Sequence, residues 1–175
     1  MNVDDDPAIS RHLAERQRDS IQQITQIQSE VAQFEPILRT MRSEFTDAEL
    51  REIRSKQLRY KETQEKLINM MVRIATALFN RMDIDDRLRP KNINEAPNYY
   101  LFRYAAAVVH FFMFRFVEAG NLSPKPDALV NHIIDLQLIA EATYFNGILS
   151  SDKVIVEVFP ICRWLLKFMG GYVST

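Results

Sequence analysis

Asp135 and Asp152 are the side chains of this 175-residue chain whose type and spacing best suit chemistry. They lie in NHIIDLQLIAEATYFNGILSSDK, residues 131–153, which reads as an apolar helical run opened by one acid, a turn at Gly147, and a short extended run ending at the second acid. Ile139, Ala142 and Thr143 follow Asp135 at helical spacing. A helix and the end of an extended segment can bring two carboxylates together. Such a pair suits a hard divalent cation, Mg²⁺ or Mn²⁺, which takes oxygen ligands and keeps several waters. Plainer roles stay open to both acids: Asp135 as a solvated first-turn acid that favours the helix dipole, Asp152 as a cap on the helix that follows.

Arg103 is the basic candidate beside them. It sits on a Tyr/Phe-rich turn near the start of NYYLFRYAAAVVHFFMFRFVEAG, residues 98–120, where it can pair with Asp135, grip a substrate phosphate, or form a structural salt bridge. This segment is apolar almost all round, which means a buried helix or a membrane span. Only 11 residues separate Arg103 from Arg115, well short of the roughly 20 that cross a bilayer. The spacing therefore predicts a central core helix over 98–119, with Phe112 buried and His110 a hydrogen-bonded core or rim residue.

The pattern D-L-Q-x-I-A-x-A-T-Y-F-N-G-I-L-S-S-D-K, residues 135–153, resembles the C-terminal motif region of bacterial PIN-like nucleases, in which an acid on a helix is followed by a strand ending in Thr/Ser-x-Asp. The resemblance covers residues 98–170. It implies a metal-dependent ribonuclease of a toxin or defence system, with Asp135 and Asp152 as catalytic and metal-binding residues, Mg²⁺ or Mn²⁺ as cofactor and RNA as substrate. One feature departs from the family. Its first acid closes an N-terminal strand, whereas Asp4, Asp5 and Asp6 here follow only Met1-Asn2-Val3. The resemblance thus implies a partial or degenerate module that needs residues from a second copy or another chain for any cleavage.

The elements ahead of this region read as a helical hairpin over 1–83. Pro7 after three acids marks a helix start, and Ile24, Ile27, Val31, Phe34, Leu38 and Met41 alternate three and four apart, with an interruption expected at Pro36. Thr46-Asp47-Ala48-Glu49 has the form of a capping box. After it, Leu50, Ile53, Gln57, Tyr60, Gln64, Leu67, Met71, Ile74 and Leu78 keep the alternation, which predicts one long helix to about Met82. Leu50, Ile53, Tyr60, Leu67, Met71 and Ile74 are the interface candidates, packing within the hairpin or on a homo-oligomeric or helical partner. Basic residues between Arg51 and Lys66 are interleaved with Glu52, Glu62 and Glu65, a pattern that fits a solvated face, with a phosphate-binding ridge as the sharper reading.

Residues 84–97, bracketed by Pro90 and Pro97, form a connector to a compact domain over 98–175. Asp83, Asp85 and Asp86 lack the glycine and terminal glutamate of an EF-hand loop. Pro126 is placed to start the Asp135 helix, residues 147–150 hold at most one short strand, and Val154, Val158, Ile161, Leu165 and Phe168 predict a last helix over 152–169, stopped by Gly170-Gly171. The fold class expected is mainly α.

Composition narrows the function. With 47% hydrophobic and 26% charged residues the chain is globular. A net charge of −1 gives no global pull toward nucleic acid or anionic membrane. The lone Cys162 excludes an intrachain disulfide and a cysteine zinc cluster, and with an acidic N-terminus lacking an apolar core it points to the cytoplasm. No G-x-S-x-G, H-E-x-x-H or phosphate-cradling glycine loop occurs. Two classes are left: the PIN-like nuclease module, and a non-enzymatic helical protein-protein interaction module of immunity or adaptor type.

Overall fold

Thr46 opens the first well-defined helix start as its sequence predicts. The hydroxyl accepts from the Glu49 amide at 3.3 Å while the Glu49 carboxylate accepts from the Thr46 amide at 2.7 Å, so two otherwise orphaned N–H groups are satisfied. The computed structural model describes residues 34–55, 59–82, 84–117 and 126–174. Across these the helices are α1 (Phe34–Ser43), α2 (Asp47–Arg54), α3 (Lys61–Arg81), α4 (Tyr100–Phe111), α5 (Pro126–Ala142) and α6 (Lys153–Phe168). Short 3₁₀ turns at Asp86–Leu88 and Ala96–Asn98 shape the connector, and α4 runs directly into a π-helical segment, Phe112–Val117. No strand occurs among the described residues, and none of their helices is long and apolar enough to cross a membrane. The fold is mainly α. The helix expected over 7–33 lies outside the described residues, and with it the pairing of the hairpin.

One expectation changes here. The long helix expected from Leu50 to Met82 is divided into α2 and α3. The cause is Glu52, whose buried carboxylate accepts from the Arg59 amide and, at 2.6 Å, from the Tyr60 amide, while Tyr60's own side chain makes no cap. A carboxylate from the end of one helix thereby serves the positive end of the next. Residues 147–150, expected to hold at most one short strand, form open loop, and Leu149 is fully exposed. A lone strand would leave both its edges unpaired.

The core explains why residues 98–119 are apolar on every side. α3, α5 and α6 pack around α4, while α1 and α2 pack on the π segment. Phe111, Phe112 and Met113 are consecutive and all essentially inaccessible, which a helix allows only when it is enclosed all round. Leu38 and Met41 of α1, Leu129 and Ile139 of α5, and Val158 and Leu166 of α6 complete a single cluster. Buried residues on both sides of the 84–97 connector belong to it, so the connector does not separate two cores.

The chain closes on a glycine pair. Gly170 adopts φ +78° and donates to Lys167 O at 3.1 Å, while Gly171 donates to Leu166 O at 2.8 Å, the Schellman pattern that caps α6. Gly171 also lies so close to the connector that an added Cβ would stand 2.6 Å from Pro97 Cβ and 3.0 Å from Leu166 O. Gly171→Ala is therefore expected to destabilise by about 1 to 3 kcal/mol, the range for overpacking. Urea denaturation measures it; an unchanged midpoint would show that the tail does not rest on Pro97.

Candidate functional site

Asp152 caps α6, the plainer of its two expected roles. Its Oδ1 accepts from the Val154 amide at 2.7 Å and the Ile155 amide at 3.3 Å. Asp135 lies on α5 one turn after His132, with Oδ2 3.9 Å from His132 Nδ1. Partial burial, and after it the negative charge of Asp152, raise the Asp135 carboxyl above its ordinary value. The two acids thus stand within electrostatic reach of each other. His132 is held below the ordinary imidazole range chiefly by burial, with Arg115 adding to the shift and Asp135 and Asp152 opposing it. Its ring packs against Phe111 at 4.8 Å. Arg115 on the π segment pairs with Glu157 of α6 at 3.7 Å. Among the described residues no group of three or more His, Cys, Asp or Glu side chains is arranged to hold a metal ion.

The raised carboxyl has a measurable sign. Folded Asp135 holds its proton more tightly than the unfolded residue does, so its contribution to stability is present at acid pH and lost as pH rises through the folded value. Asp135→Asn is expected to stabilise the protein at pH 7, by no more than about 1 kcal/mol, with the gain fading below the ordinary aspartate value of about 4. Denaturation at both pH values checks this. A destabilised variant at pH 7 would show that the ionised carboxylate holds something in place.

Arg103 does not line this site, which corrects its expected substrate-binding role. It is wholly buried. Its Nε donates to Pro97 O at 2.9 Å, Nη1 to Thr143 Oγ1 at 3.1 Å, and Nη2 to Tyr172 O. The guanidinium lies 3.7 Å from the centre of the Tyr144 ring. Tyr144 in turn donates to Asn98 O at 2.9 Å, and Asn98 Oδ1 accepts from the Tyr172 amide at 2.7 Å. Arg103 therefore ties the connector, the end of α5 and the C-terminal tail together, and it pairs with neither Asp135 nor a free surface.

Most of the interface candidates are packed inside this chain. Leu50, Ile53, Leu67 and Met71 are buried in the core and Ile74 packs partly buried against it, whereas Tyr60, at the α2–α3 break, is 65% exposed. Their alternation records packing within the chain. Leu67 and Met71 also line the groove described next.

An open apolar surface lies elsewhere. α3, α4 and α6 enclose a groove of about 310 Å³ lined by Leu67, Ile68 and Met71, by Val109 and Phe114, and by Ile161, Trp164, Leu165 and Phe168, with Gln64, His110 and Glu157 as its polar members. Trp164 and Phe168 stack at 5.5 Å and are 63% and 66% exposed. A second cavity of about 230 Å³, bounded by His110, Phe114, Arg115 and Glu157 among others, shares three of those walls. The groove is thus mostly apolar, with one polar residue from each of its three helices. The sequence pattern 154-158-161-165-168 misassigned α6's faces: Val154, Val158, Cys162 and Leu166 are the buried row, which turns Ile161, Trp164 and Phe168 outward. Trp164 and Phe168, one helical turn apart beside Arg163 and Lys167, were the signal available.

Compared with family models, curated proteins and solved structures, the chain finds no match.

Proposed function

We propose that this chain is a non-enzymatic helical interaction module whose working surface is the Trp164 groove, and that the groove receives the apolar face of an amphipathic helix. The observation that carries the reading is the stacked, two-thirds exposed Trp164–Phe168 pair bordering an apolar groove. Ordered aromatic side chains left in water beside an apolar recess are the usual anchors of interfaces. A mostly apolar groove walled by helices suits a helix that presents apolar residues three and four apart. Selection of helical peptides on the immobilised full-length chain tests this. Enriched peptides should carry apolar anchors at i, i+3 or i+4 and i+7 and should lose binding to Trp164→Asp. Peptides that bind wild type and Trp164→Asp equally would remove the groove from the account.

A second reading rests on the resemblance of residues 135–153 to the PIN-like motif region, beside the Asp152 charge that the Asp135 carboxyl feels. In it the chain is a degenerate PIN-like module in which Asp135 and Asp152 share Mg²⁺ or Mn²⁺ and further acids come from another copy or chain. Two carboxylates neutralise one divalent cation but leave little to position an attacking water, and Asp152 already spends one oxygen on α6. The isolated chain is then expected to show little Mn²⁺-dependent cleavage of single-stranded RNA. Robust cleavage abolished by both Asp135→Asn and Asp152→Asn would establish a complete nuclease in this chain.

A further inference from the structure

α6 is at once a wall of the groove and a helix of the kind the groove accepts. Its outward residues Ile161, Trp164 and Phe168 are exposed and stand at i, i+3 and i+7, the anchor spacing that suits a helix-walled apolar groove. Helix and recess thus lie on one surface of one molecule. That is the condition for an isologous contact, in which two copies related by a twofold axis each offer the other both halves. The ends of the row carry opposite charges. Glu157 stands one turn before Ile161, paired with Arg115 at 3.7 Å yet with 40% of its side chain accessible, and Lys167 stands exposed beside Phe168. The midpoint of Glu157 and Lys167 all but coincides with that of Ile161 and Trp164. Two such helices laid antiparallel about that point set acid against lysine at both ends, whereas parallel helices would set like against like. The chain's net charge of −1 adds little general repulsion between copies.

We propose that the helix received by the groove is α6 of a second copy, packed antiparallel about a twofold axis that crosses α6 between Ile161 and Trp164. This rests on the reading of the groove as a helix-receiving surface and names its occupant. Trp164 meets the partner's Ile161, and Glu157 meets the partner's Lys167. A foreign helix would need the same apolar row with the same two charges at its ends; a second copy brings both. The contact uses one helix and one groove from each copy, at the small end of interface sizes, so the dimer forms at about 10 to 100 µM protein rather than at nanomolar.

Sedimentation of the full-length chain from about 1 to 100 µM tests this, with the emission of Trp164, the only tryptophan, followed over the same range. Wild type should pass from monomer to dimer with a blue shift that tracks the dimer fraction, and Trp164→Asp should stay monomeric at unchanged circular dichroism. Lys167→Glu and Glu157→Lys should each weaken self-association about tenfold, because each sets like charges together at both ends of the contact. The two variants mixed should pair with each other about as tightly as wild type pairs with itself, a rescue that parallel helices do not give. Trp164→Asp and Lys167→Glu change exposed side chains, so they decide the matter even if Glu157→Lys disturbs the Arg115 pair. A groove-selected peptide competes for the same surface and should return wild type to monomer. A wild type still monomeric at about 100 µM overturns the proposal. So does a dimer that Trp164→Asp and Lys167→Glu leave intact, or folded single variants that fail to rescue each other. If peptides still require Trp164 in those cases, only this proposal falls; if they do not require Trp164, the reading beneath it falls too.

Discussion

Arg103→Ala is expected to lose about 3 to 5 kcal/mol of stability, the upper range for a single substitution. The variant strips donors from Pro97 O, Thr143 Oγ1 and Tyr172 O, all held by the guanidinium. Leaving a buried polar group without a partner costs about 1 to 3 kcal/mol. Thr143 keeps its bond to Ala140 O at 2.6 Å, and the tail can swing Tyr172 toward water, so the losses do not simply add. The stack on Tyr144 goes as well. Against this stands the relief of removing a buried cation, since burial already holds the guanidinium below its ordinary value. The ordinary value is so high that the group stays charged even so, and the net effect remains a loss. Arg103→Lys should recover little, because an ammonium cannot present the fork that reaches three separate oxygens. Urea denaturation measures both. A change within about 1 kcal/mol, accompanied by weakened RNA binding, would restore the ligand-gripping role that the sequence suggested.

Phe112→Ala is the second large effect, with an expected loss of about 3 to 5 kcal/mol for truncating a buried aromatic. Phe112 is 1% exposed, in edge contact with Phe111 at 5.3 Å between ring centres, and lies on the π segment against which α1 and α2 pack. Transfer of the ring to water accounts for roughly 1.5 to 3 kcal/mol of the loss and the cavity for the remainder. Since domains of this size are stable by only about 5 to 15 kcal/mol, the variant should unfold at a much lower denaturant midpoint. A loss below about 1 kcal/mol would mean that the α1–α2 layer does not close over Phe112.

These two residues mark what could and could not be read from the chain. Burial of Phe112 followed from a run of apolar residues too short to span a membrane and too continuous for a surface helix, a local property. The same holds for the Thr46–Glu49 cap, the Pro126 start of α5, and the Gly170–Gly171 stop of α6. Arg103 was misjudged because its partners lie 6, 40 and 69 residues away and two of them are backbone carbonyls, which no side-chain pattern announces. The α2–α3 break was hidden for a related reason: the alternation runs through Tyr60, and what interrupts the helix is Glu52 reaching forward to two amides. The groove was hidden too, since its walls come from α3, α4 and α6, and periodicity alone could not say which row of α6 faced inward.

The most direct measurement is the emission of Trp164 in the full-length chain as a groove-selected helical peptide without tryptophan is titrated in. A saturable blue shift that follows the same isotherm as binding, and loss of binding in Trp164→Asp at unchanged stability, is the predicted result. Saturable binding that leaves Trp164 emission untouched would place the working surface elsewhere on the molecule and contradict the account.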